Sequence, residues 1–340
     1  MRSRLFRAAG LIVVVLIAAF VVLRVFALRG DLAGAPAIER PWLLVPALPL
    51  YAAALLTYAF LWRDILFRMD RVRPPVVDSI AVFCTSWLGR YVPSSLPYLA
   101  GKFVMGRRLG HSKPALAASM LYENALLVSV AAVTSSILIP LMLAGRGGGP
   151  LVYLVAGLGG AAALVFLSPP VFHRFINTAI RLARRQPIPR ENLLSFRGIL
   201  AGSGIAAFGF VLTGTAFALV LRSFVDLDTR ELVASAAIFN LAGAIGVAAL
   251  PLPSGIGVRE GILIGLVQLY VPLEVAVAAA VVARLGSIMV DVLLGLAGAS
   301  VVAWRLRRAS SDSEESDERY PVAAPRPAEE YAAGGHGGAT

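Results

Sequence analysis

Apolar residues in this chain come in unbroken blocks of about 20, and a helix of that length crosses the roughly 30 Å hydrocarbon core of a bilayer at about 1.5 Å per residue. A chain that places such blocks in lipid must satisfy its backbone N–H and C=O groups internally, which leaves helices or a closed barrel, and blocks this long select helices. An ordinary soluble domain is excluded. Of the 340 residues 58% are hydrophobic and 15% charged, whereas soluble domains are about one quarter charged.

The formal charge of +11 would suit nucleic acid if it formed one stripe, but the basic residues lie between the apolar blocks and read as topology signals. Nucleic acid is therefore not an expected partner. Cys84 is the single cysteine, and His111, His173 and His336 are scattered, so the sequence suggests no disulfide, metal or cofactor.

Met1 to Arg7 followed by Ala8 to Leu23 has the layout of a signal peptide, with Ala35 to Ala37 as a cleavage option. The length of the apolar run and the flanking arginines favour an uncleaved first helix with its N-terminus in the cytoplasm. The second block, Trp42 to Trp62, ends at Arg63, Arg68, Arg71 and Arg73. Val76 to Ala100 is broken at Gly89-Arg90-Tyr91-Val92-Pro93-Ser94-Ser95-Leu96-Pro97 and is followed by Lys102, Arg107, Arg108 and Lys113. Positive charge at both ends and a proline-rich middle predict a re-entrant hairpin. Ala115 to Leu143 then crosses outward, Arg146 to Pro150 turns, and Leu151 to Leu167 crosses back. The basic stretch Arg174 to Arg197 reads as cytoplasmic, with Val171 to Arg185 as an amphipathic helix on the anionic leaflet. Gly198 to Leu221 crosses outward.

Glu231 to Tyr270 repeats the interrupted pattern around Pro251-Leu-Pro253-Ser254-Gly255-Ile-Gly257-Val-Arg259-Glu260, and the last block, Glu274 to Trp304, ends at Arg305, Arg307 and Arg308. A cytoplasmic end there requires this second hairpin to enter from outside. The expected fold is an all-α polytopic membrane protein with six transmembrane helices and two oppositely oriented re-entrant helical hairpins in an inverted repeat. Residues 1–304 form the membrane domain, and 305–340 an acidic, disordered cytoplasmic tail. The last 36 residues hold 5 Arg and 7 acids, leaving 26 basic and 13 acidic residues before them.

Charged and polar groups at membrane depth are costly, roughly 2.5–3.5 kcal/mol each on insertion scales, and persist where they have a partner or a cavity. The candidates for a lipid head-group site are Arg90, Tyr91, Glu123, Asn240, Ser254, Gly255, Gly257, Arg259, Glu260, Arg284 and Asp291. Glu123 and Arg284 lie at matching depths and are expected to meet across the repeats, either lining a polar cavity or locking the halves together. Arg284 and Asp291, seven apart, share a helix face; the arginine suits a phosphate with the aspartate as balance, and a local pair is the plainer alternative. The helix restarting after Ser254 and Gly255 would aim free amides at an anion, with the serine as an ordinary N-cap otherwise. Gly257 permits an unusual turn. Arg90 and Arg259 suit bidentate phosphate contacts or snorkelling to the interface. Such a site opening sideways to lipid fits a membrane phospholipid or a polyprenyl-phosphate lipid, with Glu123 as a proton or counter-charge carrier.

Two motifs resemble those of a known family, the transmembrane flippase-like domain of lysylphosphatidylglycerol synthases and their stand-alone relatives. One is Ser86-Trp-Leu-Gly89-Arg90-Tyr91-Val92-Pro93 with Glu123 about thirty residues on; the other is Pro251 to Glu260 with Arg284. The likeness covers about residues 8 to 304, with Ser94 where the family pattern has glycine. The resemblance implies movement of lipids, such as aminoacylated phospholipids, between leaflets of a bacterial plasma membrane. Only an acidic tail follows Trp304, so the synthase activity of bifunctional members is not expected and the chain reads as a non-enzyme.

Pro253-Ser254-Gly255 resembles part of a phosphatidic-acid phosphatase motif, but Ile256 stands where that chemistry needs histidine. Gly202-Ser203-Gly204 lacks a membrane histidine to activate a rhomboid-type serine. Two rivals remain: a polyprenyl-linked glycosyltransferase using Asp226-Leu-Asp228, and a non-transporting scaffold of envelope biogenesis. A homo-oligomer or an envelope-synthesis partner is compatible with either role.

Overall fold

The computed structural model describes residues 36–92, 96–143, 149–182, 188, 193–248 and 257–319. The expected first span, Ala8 to Leu23, lies outside the described residues, as do Pro93, Ser94, Ser254 and Gly255 at the expected hairpin tips. The chain divides into two units, Met1–Ala299 and Ser300–Thr340.

The described residues form helices and loops with no strand. In order these are α1 (Leu44–Asp70), α2 (Val76–Trp87), α3 (Leu96–Arg108), α4 (Lys113–Leu143), α5 (Pro150–Phe166), α6 (Pro169–Leu182), α7 (Phe196–Arg222), α8 (Thr229–Ala248), α9 (Val258–Val267) and α10 (Leu273–Arg319). Among the described residues five helices are long and apolar enough to cross a membrane: Pro41–Asp70, Lys113–Leu141, Phe196–Arg222, Thr229–Val247 and Leu273–Arg308. The pair Tyr153–Phe166 and Pro169–Leu182, bent by 77°, makes a sixth if it counts as one span.

The two interrupted segments differ. The 12 residues of α2 and 13 of α3 extend only about 18–20 Å each, and the two pack on one another. Between them a 3-10 turn, Leu88–Tyr91, runs close beneath α3, where a Cβ on Gly89 would stand 2.5 Å from Tyr98 N. By contrast α8 has 20 residues, about 30 Å, long enough to cross where the sequence pattern allotted it one arm of a hairpin. Asn240 does not interrupt it, because its side-chain amide bonds the carbonyl of Ala236 one turn back, at 3.0 Å.

Each half runs long helix, two interrupted helices, long helix: α1 to α4, then α7 to α10. Their contacts follow the same exchange. The long helices α1 and α7 pack along each other, and α4 packs on α8. Correspondingly α10 packs on α2, where Gly295 faces Leu88 and Gly298 faces the Ala81 carbonyl. Glycine at 209 lets α7 approach the Tyr58 ring on α1; a Cβ there would lie 2.4 Å from Cε1. An apolar core joins Ala47, Tyr51, Phe217, Phe239, Val267 and Ala279. Trp62, fully buried, donates from Nε1 to Ser119 Oγ at 3.1 Å and ties α1 to α4.

The α5–α6 pair links the halves. On α6, Phe172, Ile176 and Ile180 recur every fourth residue and are buried, while Arg174 and Arg181 stand on the same short helix, the amphipathic pattern expected there. In the second unit, Arg305 and Arg308 lie over the Trp304 ring at 5.3 and 5.2 Å. Helical backbone continues to Arg319, through residues whose composition predicts disorder.

Candidate functional site

Glu123 is buried as expected, but its partner is Lys102, not Arg284. Lys102 Nζ lies 2.5 Å from Glu123 Oε2 and donates to Tyr98 OH at 2.6 Å, with the two side chains 0% and 1% exposed. The Tyr98 hydroxyl in turn lies 3.2 Å from Glu123 Oε1. Helical spacing explains the arrangement: Tyr98 and Lys102 are four apart on α3, so both reach the face that meets α4. Three rings enclose the ammonium, with centroids 4.1 Å away at Phe83, 4.5 Å at Tyr98 and 5.3 Å at Trp62. Its place next to Arg107 and Arg108 makes Lys102 read as one more topology charge. The missed signal is the Tyr98-x-x-x-Lys102 spacing within an apolar run.

Arg284 pairs with Glu260, Nε to Oε1 at 3.7 Å. Glu260 also accepts from the Gly257 N–H at 2.9 Å, so one carboxylate closes the start of α9 and faces α10. Gly257 takes φ +87, a left-handed value that glycine adopts without a Cβ penalty. The two halves thus carry the same pairing with reversed signs: lysine on α3 to glutamate on α4, and glutamate on α9 to arginine on α10.

Arg284 and Asp291 share a helix face without bonding each other; Tyr91 engages both. Its hydroxyl donates to Asp291 Oδ2 at 2.5 Å, and its ring lies 5.8 Å from the Arg284 guanidinium. Arg90 stacks on Trp87 at 4.3 Å and Arg259 on Phe239 at 4.7 Å. Arg259 feels the positive charges of both Arg284 and Arg90. Three arginines, from the turn after α2 and from α9 and α10, therefore converge around Asp291 and Glu260. Three polar atoms there are buried with no hydrogen-bond partner at ordinary geometry among the described residues: Arg284 Nη2, the Tyr51 hydroxyl and Trp87 Nε1.

Asn240 does not join this group. Its Oδ1 accepts from Thr213 Oγ1 at 2.7 Å and its Nδ2 donates to Phe210 O at 2.9 Å, which uses it to fasten α8 to α7.

Beside the charged core lies a cavity of about 1400 Å³, larger than the roughly 300–1,000 Å³ of drug-sized sites. Its walls are mostly apolar side chains of α3 to α6, among them Phe103, Leu121, Phe166 and Phe175, with Trp87 of α2 and Val247 of α8, and Arg90, Tyr98 and Glu123 also line it. Sequence periodicity gives no sign of this cavity, because α5 is apolar on every side.

The acids that the glycosyltransferase reading relies on, Asp226 and Asp228, are engaged elsewhere. Asp226 forms a bidentate pair with Arg40, one arm at 2.7 Å. Asp228 and Glu231 exchange reciprocal bonds, Asp228 Oδ1 accepting from Glu231 N at 2.8 Å and Glu231 Oε2 from Asp228 N at 2.9 Å, the capping box that starts α8. The hydrogen bond to Arg40 holds the Asp226 carboxyl below its ordinary pKa and raises that of Arg40.

A protein-family model described as Lysylphosphatidylglycerol synthase TM region matches residues 7–295. No curated protein matches the chain.

Proposed function

We propose, from the premise that this chain belongs to the lysylphosphatidylglycerol synthase transmembrane-region family, that it is a lipid translocase and not an enzyme. It moves a phosphate-bearing lipid between leaflets, with the head group at the arginine cluster and the tails in the adjoining cavity or the bilayer. The observation that carries this reading is the junction at Arg90. This residue lines the 1400 Å³ apolar cavity and also acts electrostatically on Arg259 in the charged core. A lipid needs both environments in contact: convergent cations for its phosphate and an apolar volume for its chains.

The exchange of contacts between halves, α4 on α8 and α10 on α2, supports an inverted repeat that rocks about this core in alternating access. The short helices α2 and α3 fit a re-entrant hairpin. The positive-inside pattern favours cytoplasmic termini, and the family likeness favours a bacterial plasma membrane.

Proteoliposomes containing fluorescent phosphatidylglycerol or a labelled polyprenyl phosphate test the reading through dithionite access to the inner leaflet. The wild-type chain is expected to expose the inner-leaflet label, and Arg259→Ala to slow this by about tenfold, as loss of one charge-assisted phosphate contact would. No movement across a broad lipid panel would transfer the assignment to the scaffold role.

A further inference from the structure

Lys102 stands in surroundings like those that bind ammonium ligands. An ammonium surrounded by Phe83, Tyr98 and Trp62 and bonded to a carboxylate has the surroundings of an aromatic cage, the arrangement that recognises ammonium head groups. Here the ammonium belongs to the chain itself. Two of the cage's members, Tyr98 and Glu123, also line the lipid cavity.

We propose that Lys102 permanently fills this cage and thereby makes the chain select lipids whose head group carries phosphate but no amine. The proposal rests on the translocase reading for its lipid cavity and adds the substrate class. A buried charge does not leave its partner for a ligand, because separating such a pair is strongly unfavourable. A lipid in the cavity therefore meets a glutamate that is already neutralised. The other carboxylates of the core are likewise engaged: Asp291 by the Tyr91 hydroxyl, and Glu260 by Arg284 and the Gly257 N–H. On the cationic side, Arg284 Nη2 is buried with no acceptor among the described residues, and the like charges of Arg90 and Arg284 act on Arg259. A phosphate relieves both, whereas among the described residues each of these carboxylates already accepts a hydrogen bond and the cage is filled.

The test compares lipids that differ by the amine. The full-length protein in nanodiscs is offered phosphatidylglycerol, its aminoacylated ester, phosphatidylethanolamine and a polyprenyl phosphate in equal amounts, and retained lipid is read by native mass spectrometry. The wild type is expected to retain phosphatidylglycerol over its aminoacylated ester by about tenfold or more; the polyprenyl phosphate arm separates the two phosphate sources. Lys102→Met leaves the Glu123 carboxylate unpaired for an incoming ammonium and is expected to shift the ratio at least about tenfold toward the amine. Should that variant not fold, Lys102→Met combined with Glu123→Leu leaves no buried charge and is expected to keep the wild-type ratio within about twofold. Equal or greater retention of the aminoacylated ester by the wild type overturns the proposal. So does an unchanged ratio in folded Lys102→Met, or a collapsed ratio in the double variant. Retention of none of the four lipids by the wild type overturns the lipid-translocase reading itself.

Discussion

An ammonium held 2.5 Å from a carboxylate, with both side chains out of solvent, leaves each charge dependent on the other. Removing one partner of such a pair costs about 3–5 kcal/mol, while replacing both with apolar groups of similar volume is often neutral. Glu123→Gln and Lys102→Met should therefore each lower the melting temperature of the detergent-purified protein markedly, and the double replacement should recover most of the loss in a double-mutant cycle. Glu260→Gln should be milder, because the Arg284–Glu260 pair is longer at 3.7 Å and its side chains are 15% and 31% exposed. Individual residues were unevenly legible in the sequence. A lone acid within an apolar block, as at Glu123, is conspicuous, whereas Lys102 stands among arginines that serve topology. The Glu123–Arg284 pairing expected from matching depth fails because each residue finds an opposite charge on the neighbouring helix of its own half.

At the level of elements, the α2–α3 corner depends on the absence of one side chain. A Cβ at residue 89 would lie 2.5 Å from Tyr98 N and 2.6 Å from the Pro97 carbonyl carbon, and backbone on both sides cannot rotate away. Gly89→Ala should destabilise the protein by about 1–3 kcal/mol, the range of overpacked sites. Gly204→Ala on α7, where a Cβ meets nothing within 4 Å, should leave the protein unchanged or stabilise it by up to about 1 kcal/mol. Differential scanning fluorimetry on the two variants separates these outcomes. Helix existence is read well from block length, as at α1, α4, α7 and α10. The extent of α8 is not, because proline and glycine at 251–257 mark an interruption without saying how far helix persists before it. Asn240 adds to the ambiguity: a polar residue that looks like a site or a break is used to join two helices.

Over the whole molecule, the clip between Arg40, ahead of α1, and Asp226, after α7, joins the same ends of the two long helices that pack along each other. A folded-state carboxyl held below its ordinary value binds its proton less readily than in the unfolded chain. It therefore contributes stability above the unfolded value of about 3.9, and that contribution fades as pH falls through the lower folded value. Asp226→Asn should remove this acid-side dependence, and the difference between the two proteins' unfolding profiles should shrink from about pH 7 towards pH 3 and below. The pair is exposed, so the effect should also weaken with salt. The cavity is a property of this scale too, invisible in any single segment because its lining comes from six helices, α2 to α6 and α8. Its far wall is a crease. Phe166 packs edge to face against Phe172 and Phe175 across the 77° bend, with Tyr122 against Phe172. The 14 residues of α6 form an arm about 21 Å long, and a 10° change at Leu167 and Ser168 swings its tip by about 3.6 Å, close to the thickness of one hydrocarbon chain. A change of that size at the crease would alter the width of the cavity by about one lipid tail, and the four packed rings are what such a change has to rearrange.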